Sequence, residues 1–156
     1  MATTSNVRFL YGEDDQLNKL HFPVASATVL APGDLVEYES GAITVVDAAG
    51  DNTTFVGCSL DMSRNGDTAM VNVLLRGRVN IGIDSATTAV GTAMKYSSGA
   101  NGTAWKLTAA TSGADGIMWS LEYNASAVTV LDCAYDAFAI GAGIGGGAGV
   151  FNGFAS

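Results

Sequence analysis

Between Ala69 and Ile83, apolar and polar residues alternate almost without a break. Val71, Val73, Leu75, Val79, Ile81 and Ile83 fall on odd positions, with Gly77 among them, while Asn72, Arg76, Arg78 and Asn80 fall on even ones. Successive side chains of a strand point to opposite faces, so this stretch predicts a β-ribbon with one apolar face and one mostly polar face. The run is long for a single strand. Gly77, where a missing Cβ lets the chain bend, is the predicted bulge or barrel corner. Asn65-Gly66, just upstream, is a strong hairpin-turn dipeptide.

Similar runs of Val, Ile, Thr, Tyr and Phe recur roughly every ten residues, bounded by Gly, Asn, Asp and Ser. They predict strands at 26–30, 34–39, 42–47, 53–60, 69–76, 78–83, 93–97, 104–109, 116–122 and 127–135. Long straight-chain helix formers are scarce: one Gln, four Glu and three Lys in all. Only Glu13 to Phe22 has a composition that suits a short helix. The expected fold class is therefore all-β, a small barrel or sandwich of short antiparallel strands.

One segment recurs. Gly33-Asp34-Leu35-Val36-Glu37-Tyr38-Glu39-Ser40-Gly41-Ala42 aligns with Gly91-Thr92-Ala93-Met94-Lys95-Tyr96-Ser97-Ser98-Gly99-Ala100, identical at five of ten positions. Downstream, Ser59-Leu60-Asp61 echoes Ser120-Leu121-Glu122, and Val71-Asn72-Val73-Leu74 echoes Val128-Thr129-Val130-Leu131. Two copies are too few for a solenoid. A duplicated β-hairpin unit whose halves share one core would give this pattern, as would coincidence in a chain of few residue types. The organisation expected is an N-terminal arm at 1–25 and a β-domain at 26–136, with the repeat at approximately 27–83 and 85–135. A glycine-rich tail follows at 137–156.

Composition then removes options. The 156 residues carry 7 basic and 15 acidic side chains, a net charge of −8. Charged residues make up 14%, against roughly 25% in an ordinary globular domain. An acidic chain is a poor match for nucleic acid, whose binding rests on Lys and Arg neutralising phosphates. One histidine, His21, and two cysteines, Cys58 and Cys133, are too few for a four-ligand zinc site. Both cysteines sit in apolar runs and are expected to be buried free thiols. No cofactor is implied. Met1 to Asn6 lacks a basic segment followed by an apolar one, so no secretory leader is expected, and the sequons at Asn52, Asn101 and Asn124 carry no meaning. The uncharged stretch from Ala137 to Ser156 contains seven glycines and few large apolar residues, which argues against a membrane span.

Few motifs suggest chemistry. Asp61-x-Ser63-x-Asn65-Gly66 resembles the start of a calcium loop, but position twelve of that count is Asn72 and not the closing Glu, so a polar hairpin turn is expected. Gly141-x-Gly143 has no helix after it and does not make a dinucleotide loop. Arg76 and Arg78 share a strand face, where they either meet carboxylates of a partner subunit or pair within the chain with acids such as Glu37 or Glu39.

The order of motifs from Ala27 to Val79 carries a resemblance. Ala27-Thr28-Val29-Leu30 is followed by Pro32-Gly33-Asp34-Leu35-Val36, then Gly41-Ala42-Ile43-Thr44-Val45 and Val56-Gly57-Cys58-Ser59. A turn then leads into Val71-Asn72-Val73-Leu74-Leu75-Arg76-Gly77-Arg78-Val79. This series resembles the small decoration, or cement, proteins of tailed-phage capsids. The resemblance implies a non-enzymatic virion protein, made in the host cytoplasm, that binds the outer surface of a bacteriophage capsid and stabilises the shell. Its partner would be the major capsid protein, and its own state a homo-oligomer, a trimer in preference. The contacts expected are Val7, Phe9, Leu10 and Tyr11 in the arm, Arg76 and Arg78 on the ribbon, and Phe151 and Phe154 in the tail. Two alternatives stand beside it: a head fibre or knob that binds host-surface glycans through a cluster of exposed aromatics, although Trp105 and Trp119, the only tryptophans, sit in strand-like alternation that suits core packing, and a small β-scaffold hydrolase.

Overall fold

The computed structural model describes residues 8–11, 19–47, 54–64, 70–100, 103–112 and 115–137. Eleven strands run through them in chain order. They are β1 (Arg8–Tyr11), β2 (Lys19–Pro23), β3 (Leu35–Glu39), β4 (Ala42–Val45), β5 (Phe55–Ser59) and β6 (Met70–Leu74). The rest are β7 (Arg76–Thr88), β8 (Ala93–Ala100), β9 (Thr103–Ala109), β10 (Met118–Ser120) and β11 (Asn124–Asp136). The fold is all-β, as the alternating pattern requires.

The strands form two sheets with one topology. The N-terminal sheet runs β2-β6-β5-β3-β4, and a single parallel bridge between Val24 and Ile43 brings its two edges together. The C-terminal sheet runs β7-β11-β10-β8-β9 and closes into a barrel where β7 meets β9 in parallel, Gly82 beside Lys106 and Ile83 beside Leu107. β1 lies outside this ring, antiparallel to the first half of β7.

The correspondence extends to individual bonds. Gly33 N–H donates to the Ser59 carbonyl at 2.7 Å, and Gly91 N–H donates to the Ser120 carbonyl at 2.8 Å. Leu60 N–H donates to the Asn72 carbonyl at 2.9 Å, as Leu121 N–H does to that of Asp132. Ala31-Pro32-Gly33-Asp34 and Ala89-Val90-Gly91-Thr92 are equivalent turns, with Gly33 at φ +92° and Gly91 at φ +83°. Glycine is required there because a side chain at positive φ is strained. These bonds set Asn72 against Asp132, so the Val71–Leu74 and Val128–Leu131 segments aligned by sequence stand out of register.

Two cores result. Phe22, Val24, Val36, Ile43, Val56, Val71, Val73 and Leu75 fill the N-terminal ring. Val79, Ile81, Ile83, Met94, Trp105, Leu107 and Leu131 fill the C-terminal barrel, and Leu35, Phe55, Cys58 and Leu74 join that second core from the other face of the N-terminal sheet. β3, β5 and β6 are thus covered on both sides, which is why all five residues of β5 are buried.

Three further expectations differ from the structure. The ribbon breaks at Leu75 and not at Gly77, which lies inside β7 opposite Tyr135. At the break the chain passes from one ring to the other, and its carbonyls leave the ladder. That of Leu74 accepts the Tyr135 hydroxyl at 2.6 Å, and that of Leu75 accepts Ala137 N–H at 2.8 Å. Lys19 to Phe22 are strand, not the end of a helix, because β2 pairs residue by residue with β6 and alternation buries Phe22 and Val24. Tertiary pairing there overrides the local preference. Residues 26–30 form a turn with Ala27 at φ +67°, and only Leu30 bridges, to Ser63.

Cys58 and Cys133 are buried free thiols, each pushed up to about 12 chiefly by burial. Native protein at pH 8 is therefore expected to stay unreactive toward a thiol-disulfide reagent, because the thiolate is the reactive form. Denatured protein should titrate both cysteines; rapid reaction of the native chain would contradict the burial.

Candidate interaction surface

The polar side chains of the interior hold loops in place. Asp34, fully buried, accepts Ala31 N–H at 2.8 Å through Oδ2 and Trp105 Nε1–H at 3.3 Å through Oδ1. The first bond caps its own turn, as Thr92 Oγ1 does for Ala89 N–H at 3.3 Å in the other ring. The second crosses to β9 and links the two rings. Burial raises the Asp34 carboxyl above its ordinary value, and the two donors pull it back down. Glu37 Oε2 accepts from Thr54 Oγ1 at 2.7 Å, and Asp61 Oδ2 accepts both Asn72 N–H at 2.7 Å and Asn72 Nδ2–H at 2.9 Å.

Arg78 pairs with Asp132, whose other oxygen accepts Asn80 Nδ2–H at 2.7 Å. The Asn80 amide first, then Arg78, hold the Asp132 carboxyl below its ordinary value. Arg78 thus pairs within the chain, with a residue of β11. Arg76 stands opposite Asp136 in the same ladder. Stability from a lowered carboxyl pKa is present above the unfolded value of about 3.8 and is lost as pH falls through the folded one. Asp132→Ala is expected to cost about 1–2 kcal/mol at neutral pH and to flatten the acid limb of the stability profile. An unchanged acid limb in urea titrations would count against this pairing.

Phe9, Leu10 and Tyr11 lie in β1, beside β7. Val7, Phe151 and Phe154 lie outside the described residues, as do Asn65 and Gly66. Among the described residues, no group of three His, Cys, Asp or Glu side chains could hold a metal ion. Trp105 is fully buried and Trp119 is half-buried, so neither offers the exposed stacking face a glycan needs.

The residues that sequence reasoning missed are exposed apolar ones. Val90 is 67% exposed, Tyr123 72%, Val130 47%, Met62 61% and Met70 54%. Val90 lies in a turn, Met62 and Tyr123 in loops, Met70 at the start of β6 and Val130 within β11, and in the sequence alone none is distinguishable from a core residue. Backbone bonds gather them. In the C-terminal barrel, Gly91 N–H reaches Ser120 and places Val90 near Leu121, which in turn is bonded to Asp132, two residues from Val130. Thr88 Oγ1 donates to the Glu122 carbonyl at 3.4 Å, which brings the turn before Val90 to the residue beside Tyr123. In the N-terminal ring the same connections gather Pro32, Met62 and Met70.

Fold and surface together define an all-β protein of two five-stranded rings whose turns carry exposed apolar side chains. No family model matches the chain, and no curated protein matches it. Among solved structures, it is similar to the N base of the head fiber gp8.5 in bacteriophage phi29. The two share 18% identity at a TM-score of 0.46, over 76% of this chain and 94% of that one. A likeness of that extent fixes neither family nor function.

Proposed function

We propose that this chain is a structural virion protein that binds the outer surface of a phage capsid and stabilises the shell, without catalysis. The observation that carries the reading is the surface. An acidic, weakly charged chain leaves large apolar side chains such as Met62, Met70, Val90 and Tyr123 in solvent. Grouped exposed apolar residues mark surfaces that other protein covers. The resemblance of the Pro32-Gly33-Asp34, Val56-Gly57 and Val71-x-Val73 series to cement proteins points to the same role. In the structure these residues form the turn closed by buried Asp34, the close approach of β5 to β6, and the core of the first ring. A protein that binds only the assembled shell stabilises it by mass action.

The major capsid protein is the partner in this reading, and a homotrimer is the state of the free protein. The arm residues and Arg76 add contacts at the edges of the sheets. Heating expanded empty capsids with and without the protein tests the reading. Saturating protein is expected to raise the temperature of shell rupture, and no shift at saturation would contradict it.

A further inference from the structure

The exposed apolar residues of one ring occupy the same structural positions as those of the other. The turn bonds that equate Gly33 with Gly91 equate Pro32 with Val90. The Ser59 and Ser120 hydroxyls, donating to the carbonyls of Asp61 at 2.7 Å and Glu122 at 2.9 Å, equate Met62 with Tyr123. The match of Asn72 with Asp132 equates Met70 with Val130. All six are exposed, although the two segments have otherwise diverged. A carboxylate precedes the central residue in each: Asp61 before Met62 and Glu122 before Tyr123. Both are held by an asparagine side chain, Asn72 Nδ2–H on Asp61 and Asn124 Nδ2–H on Glu122 at 3.3 Å.

We propose that each ring carries one docking face and that the two faces seat two identical copies of one protein subunit. Each copy would present an apolar side chain beside a basic one. The inference rests on the reading above, since a shell supplies the same subunit surface many times over. Charge complementarity selects the occupant. The chain carries −8 overall, and each apolar cluster is flanked by a fixed carboxylate, so the matching surface is apolar with Lys or Arg at its edge. The faces differ at Arg64, exposed on the first, where the second has Ala125; the second face is the more strongly acidic. Two weak contacts made by one rigid chain act with an effective concentration that neither has alone.

The test is co-sedimentation with expanded empty capsids of the phage that encodes the chain, as a titration at low and high salt. Met62→Asp and Tyr123→Asp are each expected to weaken binding about 100-fold, and the double variant is expected to lose it. Leu20→Asp, an exposed apolar position in neither face, should bind as wild type. Binding should weaken as salt rises. Met62→Ala and Tyr123→Ala replace any Asp variant whose melting shows misfolding. Capsids that bind wild type and both single variants equally, or that respond to only one face, overturn the two-face proposal alone. Capsids that bind no wild-type chain overturn it together with the proposed function.

Discussion

Gly57→Ala is expected to destabilise the chain by about 4 kcal/mol or more, an exceptional loss for a single substitution. Gly57 sits in β5 at φ +154°, and a Cβ there would lie 2.0 Å from the Leu74 carbonyl oxygen. The obstacle is backbone, so no side-chain rotation relieves it. That carbonyl also accepts the Tyr135 hydroxyl at 2.6 Å, which holds it in place. Val36 faces Gly57 while Glu37 faces Phe55, so the ladder carries a bulge at this point and β5 is pressed toward β6. Gly41→Ala provides the contrast. Its φ is +88° but nothing lies within 4 Å of the added atom, so the cost is that of the turn conformation alone, about 1 kcal/mol. Urea denaturation followed by circular dichroism separates the two; equal midpoints would contradict the close approach of β5 and β6.

The second large effect belongs to Asp34. Asp34→Ala leaves the Ala31 N–H and the Trp105 Nε1–H without their acceptor in a site closed to water, at a cost of about 3 kcal/mol. Thr92→Ala removes the equivalent cap in the other ring, where the bond is exposed, and should cost less than about 1 kcal/mol. Asp34 also has a pH signature opposite to that of Asp132. Its folded carboxyl is raised above 3.8, chiefly by burial, so the folded chain holds the proton more tightly than the unfolded one. Its contribution to stability is greatest below that value and declines as pH rises through the folded pKa. Asp34→Asn removes the slope. Thermal melts of wild type and Asp34→Asn between pH 3 and 7 should therefore diverge as pH rises, and parallel curves would mean that the carboxyl is not buried as described.

Much of this architecture was legible from residue order. All six odd-position apolar residues from Val71 to Ile83 are buried, because a half-buried strand admits no other arrangement. The turns at Pro32-Gly33 and Ser40-Gly41 were legible for a similar reason, since positive φ selects glycine strongly. What escaped depends on contacts between distant parts of the chain. The Asp34–Trp105 bond joins residues 71 positions apart, and neither carries a local mark of its partner. The break at Leu75 follows from two carbonyls being claimed by Tyr135 and Ala137, far downstream. β2 was hidden because Glu13 to Phe22 reads as helix until β6 is beside it. The apolar faces were hidden for a different reason: Met62, Tyr123 and Val130 are the same residue types that fill cores, and only solvent exposure distinguishes them.

The low charge of the chain gains a physical meaning from these faces. Two rings packed against each other across the second core leave less perimeter to solvate, and in the proposed role the exposed apolar rims are covered as well. On the proposed function, a surface covered by capsid subunits would have no need of the charge that keeps a free domain soluble.

The central claim, that the chain binds the outside of a capsid, is tested most directly by imaging. Expanded empty capsids incubated with excess protein and examined by cryo-electron microscopy are expected to carry added density on their outer surface, at sites repeated by the symmetry of the shell. The density should resolve into two small barrels per chain, with the Met62 and Tyr123 faces turned toward capsid subunits. Shells whose outer surface is identical with and without saturating protein would contradict the account.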